Sequence, residues 1–371
     1  MTSITAAVVR TAGGPWSLET LRLDEPREDE LLVRIAGVGI CHTDVSIRNQ
    51  YLPVPLPIVL GHEGAGVVER VGARVRGLAP GDHVVLCPLT CGRCGNCRGG
   101  APMYCERFVR LNIGTRRADG SATIFDGESP ISAAFFGQSS FATFALASQN
   151  NAVRVPRDVP LEILGPLGCS VQTGAGTVIN ALAPHCGASI AIFGSGPVGL
   201  SAVMAARLVG CATIIAVDIK ENRLALAREL GATHAIDARA TDVVAAIRQL
   251  TGRGAHYALD TTAQPAVIRQ AVECLAMPGT CAVVGLAPLG TEVALDVNVL
   301  ASGRTVRGVT EGESVPSVFI PQLIEFWRQG RFPFERMIRT YALSEINQAV
   351  ADMESGATLK AVLRMPTSCS P

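Results

Sequence analysis

Four closely spaced cysteines are the residues best suited to chemistry. Cys91, Cys94, Cys97 and Cys105 lie within 15 residues, separated by two, two and seven positions. Four thiolates that converge tetrahedrally suit Zn²⁺, and an all-cysteine shell leaves no open coordination position. The run therefore predicts a structural zinc site. A redox CxxC pair and an iron–sulfur cluster are the alternatives, and no βαβ unit precedes the run, as a thioredoxin-like site would require.

A second set of candidate ligands is dispersed along the chain. Cys41 stands in GICHTD, His62 in GHEGAG and Cys169 in PLGCSVQTG. A catalytic zinc needs three protein ligands and an open position for water or substrate. Each residue alone has an ordinary alternative, because buried cysteines are common and a single histidine is more often a polar residue with satisfied hydrogen bonds. The flanking motifs favour the catalytic interpretation.

A glycine-rich motif follows a short apolar run. Gly194, Gly196 and Gly199 form GxGxxG after ASIAIF and before a helix-patterned stretch. There the glycines allow a tight turn, close approach of a pyrophosphate and packing of helix on strand, and the helix N-terminus favours anionic phosphates. Asp218 ends TIIAVD, 19 residues after Gly199. A carboxylate at this position accepts hydrogen bonds from the adenosine ribose and repels a 2′-phosphate, which predicts NAD; capping of the next helix is its alternative role.

The elements that must position these residues form two regions. With 371 residues the chain exceeds the usual size of one hydrophobic core, so two domains are expected. Short Val/Ile runs between glycines predict a β-rich domain over residues 1–170, with the cysteine lobe at about 87–110. Alternating strands and helices predict an α/β domain with a doubly wound parallel sheet over 171–312. Residues 313–371 should return to the first domain.

Composition limits the possible partners. The chain carries 32 Lys and Arg against 32 Asp and Glu, which argues against nucleic acid or an anionic membrane as a partner. Neither a signal peptide nor an apolar run of about 18 residues is evident, so we expect a cytoplasmic protein with a small-molecule substrate. The cysteines outside the zinc motifs show no pairing pattern and are expected to be plain thiols, among them Cys186, Cys211, Cys274, Cys281 and Cys369.

Taken together, CHTD, GHEGAGVVERVG, the four-cysteine lobe and GSGPVG resemble the zinc-containing medium-chain alcohol dehydrogenases, over essentially the whole chain. The resemblance implies a GroES-like catalytic domain, a Rossmann-type domain, two zinc ions and one NAD per chain. It also implies a homodimer or homotetramer joined through the cofactor-domain sheets. By the same resemblance Cys41, His62 and Cys169 bind the catalytic zinc. Glu63 is either an exchangeable carboxylate ligand or a carboxylate that lies behind the ligands without binding the ion.

The resemblance further implies a set of contacts with NAD. The residues expected to make them are Arg223 at the adenosine ribose, His42 and Lys360 at the pyrophosphate, Thr173 and Val198 behind the nicotinamide ring, and Val284 of VVGLA at its carboxamide. A solvated surface lysine is the ordinary alternative for Lys360.

The expected reaction is reversible hydride transfer from an alcohol to nicotinamide C4. Zinc acts as a Lewis acid that makes the alcohol easier to ionise, and Thr43 lies two residues after Cys41, where its hydroxyl can contact the substrate oxygen. In well-known relatives a proton relay ends on a histidine at the position of Ser46. Serine does not titrate near pH 7, so we expect the proton to pass to water directly or through Ser46. Asp44 should orient nearby backbone or arginine groups.

Several features are most similar to the benzyl or aryl-alcohol dehydrogenases: CHTD, the unshortened loop from Glu106 to Ser140, GQSSFATFAL and FPF. By family position Cys87 lies on the inner wall of the substrate cleft, where relatives often carry a bulky aromatic, with Leu52 and Phe136 further out. Core filling is the alternative for Cys87. A primary aromatic alcohol is therefore the predicted substrate.

Three alternatives to this function stand beside it. They are glutathione-dependent formaldehyde dehydrogenase activity, short-chain aliphatic alcohol dehydrogenase activity, and a non-catalytic protein that keeps the fold. The segment YLPVPLPIV offers no charge for the glutathione carboxylates. The intact zinc-ligand motifs argue against a non-catalytic role.

Overall fold

The computed structural model describes residues 1–366 and divides the chain into two compact units. Unit 1 contains Met1–Cys169, Val315–Pro321 and the chain from Met337 onward, and unit 2 contains Ser170–Ser314 and Gln322–Arg336. The sequence assigned all of 313–371 to the first domain, whereas residues 313–314 and the segment 322–336 group with unit 2. An ion pair between Arg336 and Glu229 holds the end of that segment to unit 2.

The strands, in chain order, are β1 (Thr2–Val9), β2 (Trp16–Leu23), β3 (Glu30–Gly39), β4 (Ile58–Val59), β5 (Glu63–Val71), β6 (His83–Leu86), β7 (Ile124–Asp126), β8 (Ser129–Ile131), β9 (Phe144–Ser148), β10 (Ala152–Val155), β11 (Ser189–Phe193), β12 (Thr213–Asp218), β13 (His234–Asp237), β14 (Ala255–Asp260), β15 (Leu275–Val283), β16 (Arg304–Gly308), β17 (Ile338–Ala342) and β18 (Lys360–Arg364).

The helices, in chain order, are α1 (His42–Arg48), α2 (Gly95–Arg98), α3 (Phe108–Ile113), α4 (Ser170–Gly176), α5 (Pro197–Leu208), α6 (Glu221–Leu230), α7 (Val243–Thr251), α8 (Pro265–Glu273), α9 (Val297–Ala301), α10 (Pro316–Arg328) and α11 (Ile346–Ser355). In residues 1–366, no helix combines the length and the apolar character that a bilayer crossing requires.

Unit 1 is the predicted β-rich domain. One sheet has the strand order β4-β1-β2-β7-β8, and the other has β10-β6-β5-β3-β18-β17, with β9 also paired to β3. The last two strands come from the C-terminal part of the chain, and β18 pairs antiparallel with β3 through Leu363 and Val38. The C-terminal segment therefore completes a sheet begun near the N-terminus.

Unit 2 contains the predicted parallel sheet, which the structure confirms. Its strand order is β13-β12-β11-β14-β15-β16, and every described pairing is parallel. The central strands β11 and β12 are apolar and largely buried on both faces, as Ile190, Ala191 and Phe193 of β11 show, whereas the edge strands β13 and β16 are partly exposed. Because all strands run the same way, the loops that follow them lie at one edge of the sheet, where ligands bind in this architecture.

Candidate active site

Four candidate ligands meet inside unit 1. One ligand atom each from Cys41, His62, Glu63 and Cys169 lies within 4.8 Å of the others. Cys41 is the residue before α1, His62 is the residue before β5, Glu63 is the first residue of β5, and Cys169 directly precedes α4. The three predicted zinc ligands and the predicted carboxylate are therefore brought together, although 128 positions separate Cys41 from Cys169 along the chain.

The donor set fits a zinc ion. The Nε2 atom of His62 is buried and has no hydrogen-bond partner within residues 1–366, a costly arrangement unless a further group satisfies it. Two thiols and a carboxylate surround it, and these are donors that Zn²⁺ accepts. The hydrogen bond with Cys169 lowers the pKa of the Cys41 thiol well below its ordinary value, against the effect of burial, which favours the thiolate form that binds metal.

His62 is held from several sides. Its Nδ1 atom lies 3.0 Å from Oδ1 of Asp44, and its ring stacks on Phe136 with centroids 4.5 Å apart. Phe135 meets the same ring edge-on at 5.5 Å, and Nε2 of Gln138 donates to the carbonyl oxygen of His62. The imidazole therefore has one orientation, with Nε2 directed at the other ligands.

Asp44 organises the loops that carry the ligands. Its carboxylate accepts hydrogen bonds from the backbone N–H groups of Cys41 and Gly61, each at 3.0 Å. These are the backbone partners expected from the sequence. Its side-chain partner is the imidazole of His62, where the sequence suggested an arginine. One buried carboxylate thus connects two of the ligand-bearing segments.

Lys360 occupies a position that the sequence did not predict. It is 1% exposed, and its Nζ atom lies 2.6 Å from Oε2 of Glu63 and donates to the carbonyl oxygen of Ile40. Burial alone would lower the pKa of Lys360, but the charges of Glu63 and Cys41 raise it above the ordinary value. The surface alternative is therefore wrong, and the expected pyrophosphate contact stays a prediction.

The remaining candidates from α1 lie close to the ligands in sequence. The hydroxyl oxygen of Thr43 is 3.7 Å from Sγ of Cys41, while His42 is exposed and Ser46 is half-buried.

Among the residues predicted to line the substrate pocket, Phe136 is buried against His62. Cys87 is also buried, and its Sγ lies 3.5 Å from the carbonyl oxygen of Asn151. Leu52, which is half-buried, packs against the core of unit 1. Their contacts with substrate stay predictions.

The second cluster contains only cysteines. One sulfur each from Cys91, Cys94, Cys97 and Cys105 lies within 4.8 Å of the others. Backbone N–H groups point at these sulfurs, as from Cys94 to Cys91 at 3.3 Å and from Cys91 to Cys105 at 3.4 Å. Such donors stabilise thiolate charge, so the lobe fits a structural zinc with all four positions filled by protein. Cys369 lies outside the described residues.

The glycine motif in unit 2 has the geometry of a phosphate-binding turn. Gly194 adopts a φ of +89°, a left-handed conformation that favours glycine. A β-carbon added at Gly199 would overlap the carbonyl oxygen of Gly194, so only glycine allows this helix to pack on its strand. A β-carbon at Gly196 would meet nothing within 4 Å, which leaves open space before α5. The turn therefore fits a dinucleotide pyrophosphate.

Asp218 shapes the same edge of the sheet. Its Oδ2 atom accepts from the backbone N–H of Ser195 at 2.7 Å, and Oδ1 accepts from Ile219 and Lys220. Arg223 lies 3.7 Å from Oδ2. The residue preceding α6 is Lys220, and its backbone N–H donates to Asp218, so this carboxylate organises the loop that leads into the helix. A carboxylate has about four acceptor positions, so Oδ2 keeps capacity for a ribose hydroxyl.

The predicted nicotinamide contacts also lie in unit 2. Thr173 is in α4, which packs so closely on the start of α5 that a β-carbon at Gly174 would overlap the carbonyl oxygen of Val198. The backbone N–H of Val284 donates to the backbone carbonyl oxygen of Asp260, at the end of β14. The hydroxyl of Thr173 is 3.1 Å from Oε2 of Glu311, a residue that the sequence did not single out. Its position just after β16 was the signal that could have found it.

Comparison with known proteins agrees with this architecture. Residues 27–157 match the family model described as an alcohol dehydrogenase GroES-like domain, and residues 197–328 match the zinc-binding dehydrogenase model. The chain is 50% identical to geraniol dehydrogenase of Castellaniella defragrans over 97% of both chains.

Solved structures are similar over nearly the whole chain. An alcohol dehydrogenase zinc-binding domain protein from Burkholderia ambifaria has a TM-score of 0.97 and 56% identity, covering 98% of this chain and 99% of that one. Benzyl alcohol dehydrogenase from Acinetobacter calcoaceticus has a TM-score of 0.96 and 46% identity, covering 99% and 100%.

The two matched domains and the two ligand clusters define an oxidoreductase with a GroES-like domain and a Rossmann-type domain. The chain belongs to the zinc-dependent medium-chain alcohol dehydrogenase family.

Proposed function

We propose that the protein catalyses NAD-linked oxidation of a hydrophobic primary alcohol whose carbinol carbon is bonded to an unsaturated carbon. The observation that carries the proposal is the cluster of Cys41, His62, Glu63 and Cys169, of which the last three are buried, with Nε2 of His62 left for a metal. When bound, zinc supplies the Lewis acidity that makes an alcohol easier to ionise, and NAD accepts the hydride.

The chain's own residues prepare the site for that chemistry. The Asp44 carboxylate accepts a hydrogen bond from the Nδ1–H group of His62, and this tautomer leaves the Nε2 lone pair available as a donor. Thr43, whose hydroxyl is next to Cys41, is assigned the hydrogen bond to the substrate oxygen. Because residue 46 is a serine and not a histidine, the proton of the alcohol leaves through water, directly or by way of the Ser46 hydroxyl.

The substrate class rests on two relatives with different names. Geraniol is an allylic primary alcohol and benzyl alcohol a benzylic one, and the relatives named for them are 50% and 46% identical to this chain. In both alcohols the developing carbonyl group conjugates with the neighbouring double bond or ring. The aromatic substrate predicted from the sequence is therefore widened to include allylic alcohols, with an aryl alcohol as one member.

The cofactor preference rests on Asp218. Its side chain is 4% exposed and held by three backbone N–H groups, so it is a fixed negative charge at the end of β12. A 2′-phosphate would lie against that charge, whereas the ribose hydroxyls of NAD can donate to it.

We also infer a homodimer or homotetramer, which light scattering of the purified protein would test.

A substrate panel tests the proposal. NADH formation would be followed with benzyl alcohol, geraniol, ethanol, and formaldehyde plus glutathione, each with NAD and with NADP. We expect kcat/KM for benzyl alcohol or geraniol to exceed that for ethanol about tenfold or more, as apolar pocket contacts typically provide. A higher value with ethanol or with the glutathione adduct would contradict the substrate class, and equal use of NADP would contradict the role of Asp218.

A further inference from the structure

Glu311 lies at the ligand-binding edge of the parallel sheet. It follows the end of β16, just as Val284 follows β15 and Gly194 follows β11. The backbone N–H of Val309 donates to the carbonyl oxygen of Val283 at 3.0 Å. This hydrogen bond keeps the loop after β16 next to the loop after β15. Because the carboxyl ends of parallel strands share one edge, all three loops lie on the cofactor side.

The Glu311 carboxylate contacts α4. Its Oε2 atom accepts a hydrogen bond from the hydroxyl of Thr173 at 3.1 Å and lies 3.4 Å from Nε2 of Gln172. Thr173 is buried, and its helix packs directly on the backbone of Val198. A negative charge is therefore held beside the two residues assigned to the back of the nicotinamide ring.

The backbone of this loop is unusual. Glu311, Gly312 and Glu313 all have positive φ angles, of 49°, 64° and 50°, and such conformations in non-glycine residues concentrate at functional sites. Residues outside the loop constrain its backbone. A β-carbon at Gly312 would come within 2.5 Å of the carbonyl oxygen of Gln172, and Asn180 donates to the carbonyl oxygen of Gly312 at 3.1 Å.

Charge explains why an acidic residue suits this position. The nicotinamide ring is cationic in NAD⁺ and neutral in NADH, so a nearby carboxylate attracts the oxidised form and gains nothing from the reduced form. The hydrogen bond to Thr173 does not itself need a charge, because a neutral amide oxygen could accept it. The acceptor role and the charge of Glu311 are therefore separable, and a substitution that removes only the charge tests whether it discriminates between the two cofactor states.

We propose that Glu311 is a specificity-determining residue that makes the enzyme bind NAD⁺ in preference to NADH. This inference rests on the proposed NAD-linked function. It concerns the ratio of two affinities and assigns no chemical step to Glu311. Tighter NAD⁺ binding and easier NADH release both serve the direction of alcohol oxidation.

The Glu311→Gln variant tests this proposal, because glutamine keeps the size of the side chain and an oxygen acceptor for Thr173. Dissociation constants for NAD⁺ and NADH would be measured separately by fluorescence titration of the zinc-loaded, full-length protein. We expect the Kd for NAD⁺ to rise about tenfold while that for NADH stays within about twofold, as the loss of one charge–charge attraction implies.

The matched control is Glu313→Gln, which removes a like charge from the same loop. Glu313 pairs with Arg307, so both dissociation constants should stay within about twofold of wild type. If Glu311→Gln changed both constants equally, or changed neither, the inference would be overturned while the proposed function stood. If the wild-type protein bound neither nucleotide, the proposed function would fail and the inference with it.

Discussion

Oδ1 of Asp44 lies 3.0 Å from Nδ1 of His62, and both side chains are completely buried. The same carboxylate accepts from the backbone N–H groups of Cys41 and Gly61. A buried carboxylate that accepts a hydrogen bond from the Nδ1–H group fixes the tautomer in which Nε2 is a lone-pair donor. Asp44 thus determines both the orientation of one candidate ligand and the backbone position of another.

The Asp44→Asn variant should lose catalytic zinc selectively. The amide removes the negative charge and places an NH₂ group against the backbone N–H of Cys41. We expect affinity for the catalytic zinc to fall about 10–100-fold, while the cysteine lobe keeps its ion. Zinc per chain would be measured by mass spectrometry after equilibration with graded concentrations of chelator.

The control for Asp44→Asn is Asp260→Asn, which changes an equally buried aspartate that accepts from Thr262 and Ala263 in unit 2. Its chelation curve should match that of wild type. Superimposable curves for all three proteins would show that Asp44 does not support the metal.

Two alanine substitutions in the glycine motif should affect different properties, NAD affinity in one case and stability of the fold in the other. Gly196→Ala adds a methyl group in open space, so the melting temperature should be unchanged, while NAD affinity should fall about tenfold because the pyrophosphate must approach this backbone. Gly199→Ala overlaps the carbonyl oxygen of Gly194 and should destabilise the fold. Thermal unfolding and NAD titration distinguish the two, and wild-type affinity in Gly196→Ala would contradict the assignment.

The cysteine lobe should matter for stability before catalysis. Cys97→Ser leaves three thiolates in a site that needs four, so zinc should fall from two ions per chain to one. The melting temperature should drop by about 5 °C or more, while the KM of the folded protein for its alcohol stays within about twofold. Cys186→Ser, at an exposed cysteine, is the control. Two retained zinc ions in Cys97→Ser would refute the structural role.

Ser46→His should introduce a new titration. A histidine on this half-buried position of α1 has an ordinary pKa of about 6.5 and can accept a proton that serine cannot hold. The pH profile of kcat/KM should then show an added ionisation, with the rate rising as the imidazole loses its proton. Ser46→Gln, which is similar in size and does not titrate, should keep the wild-type profile. Identical profiles for the two variants would exclude a proton path beside residue 46.

The sequence was most informative where chemistry is encoded in short motifs. The four-cysteine run, the GxGxxG turn and the strands that alternate with helices each depend on neighbours within about 30 residues. Their geometry in the structure follows the prediction, including the open space at Gly196 and the tight packing at Gly199.

The features that the sequence did not reveal are pairs between distant residues. Lys360 meets Glu63 across 297 positions, and Thr173 meets Glu311 across 138. Local patterns cannot identify such partners, because the sequence around a single lysine or glutamate does not show whether its side chain is solvated or forms a buried ion pair. The segment 322–336 shows the same limit, since its helical pattern does not indicate which unit it joins.

The most direct test of the proposed function compares benzyl alcohol with cyclohexylmethanol, which has a similar size but a saturated ring. Both would be assayed with NAD and the protein containing two zinc ions per chain. If the site selects alcohols whose carbinol carbon is bonded to an unsaturated carbon, kcat/KM for benzyl alcohol should be about tenfold higher or more. Equal values, or a preference for cyclohexylmethanol, would contradict the proposal.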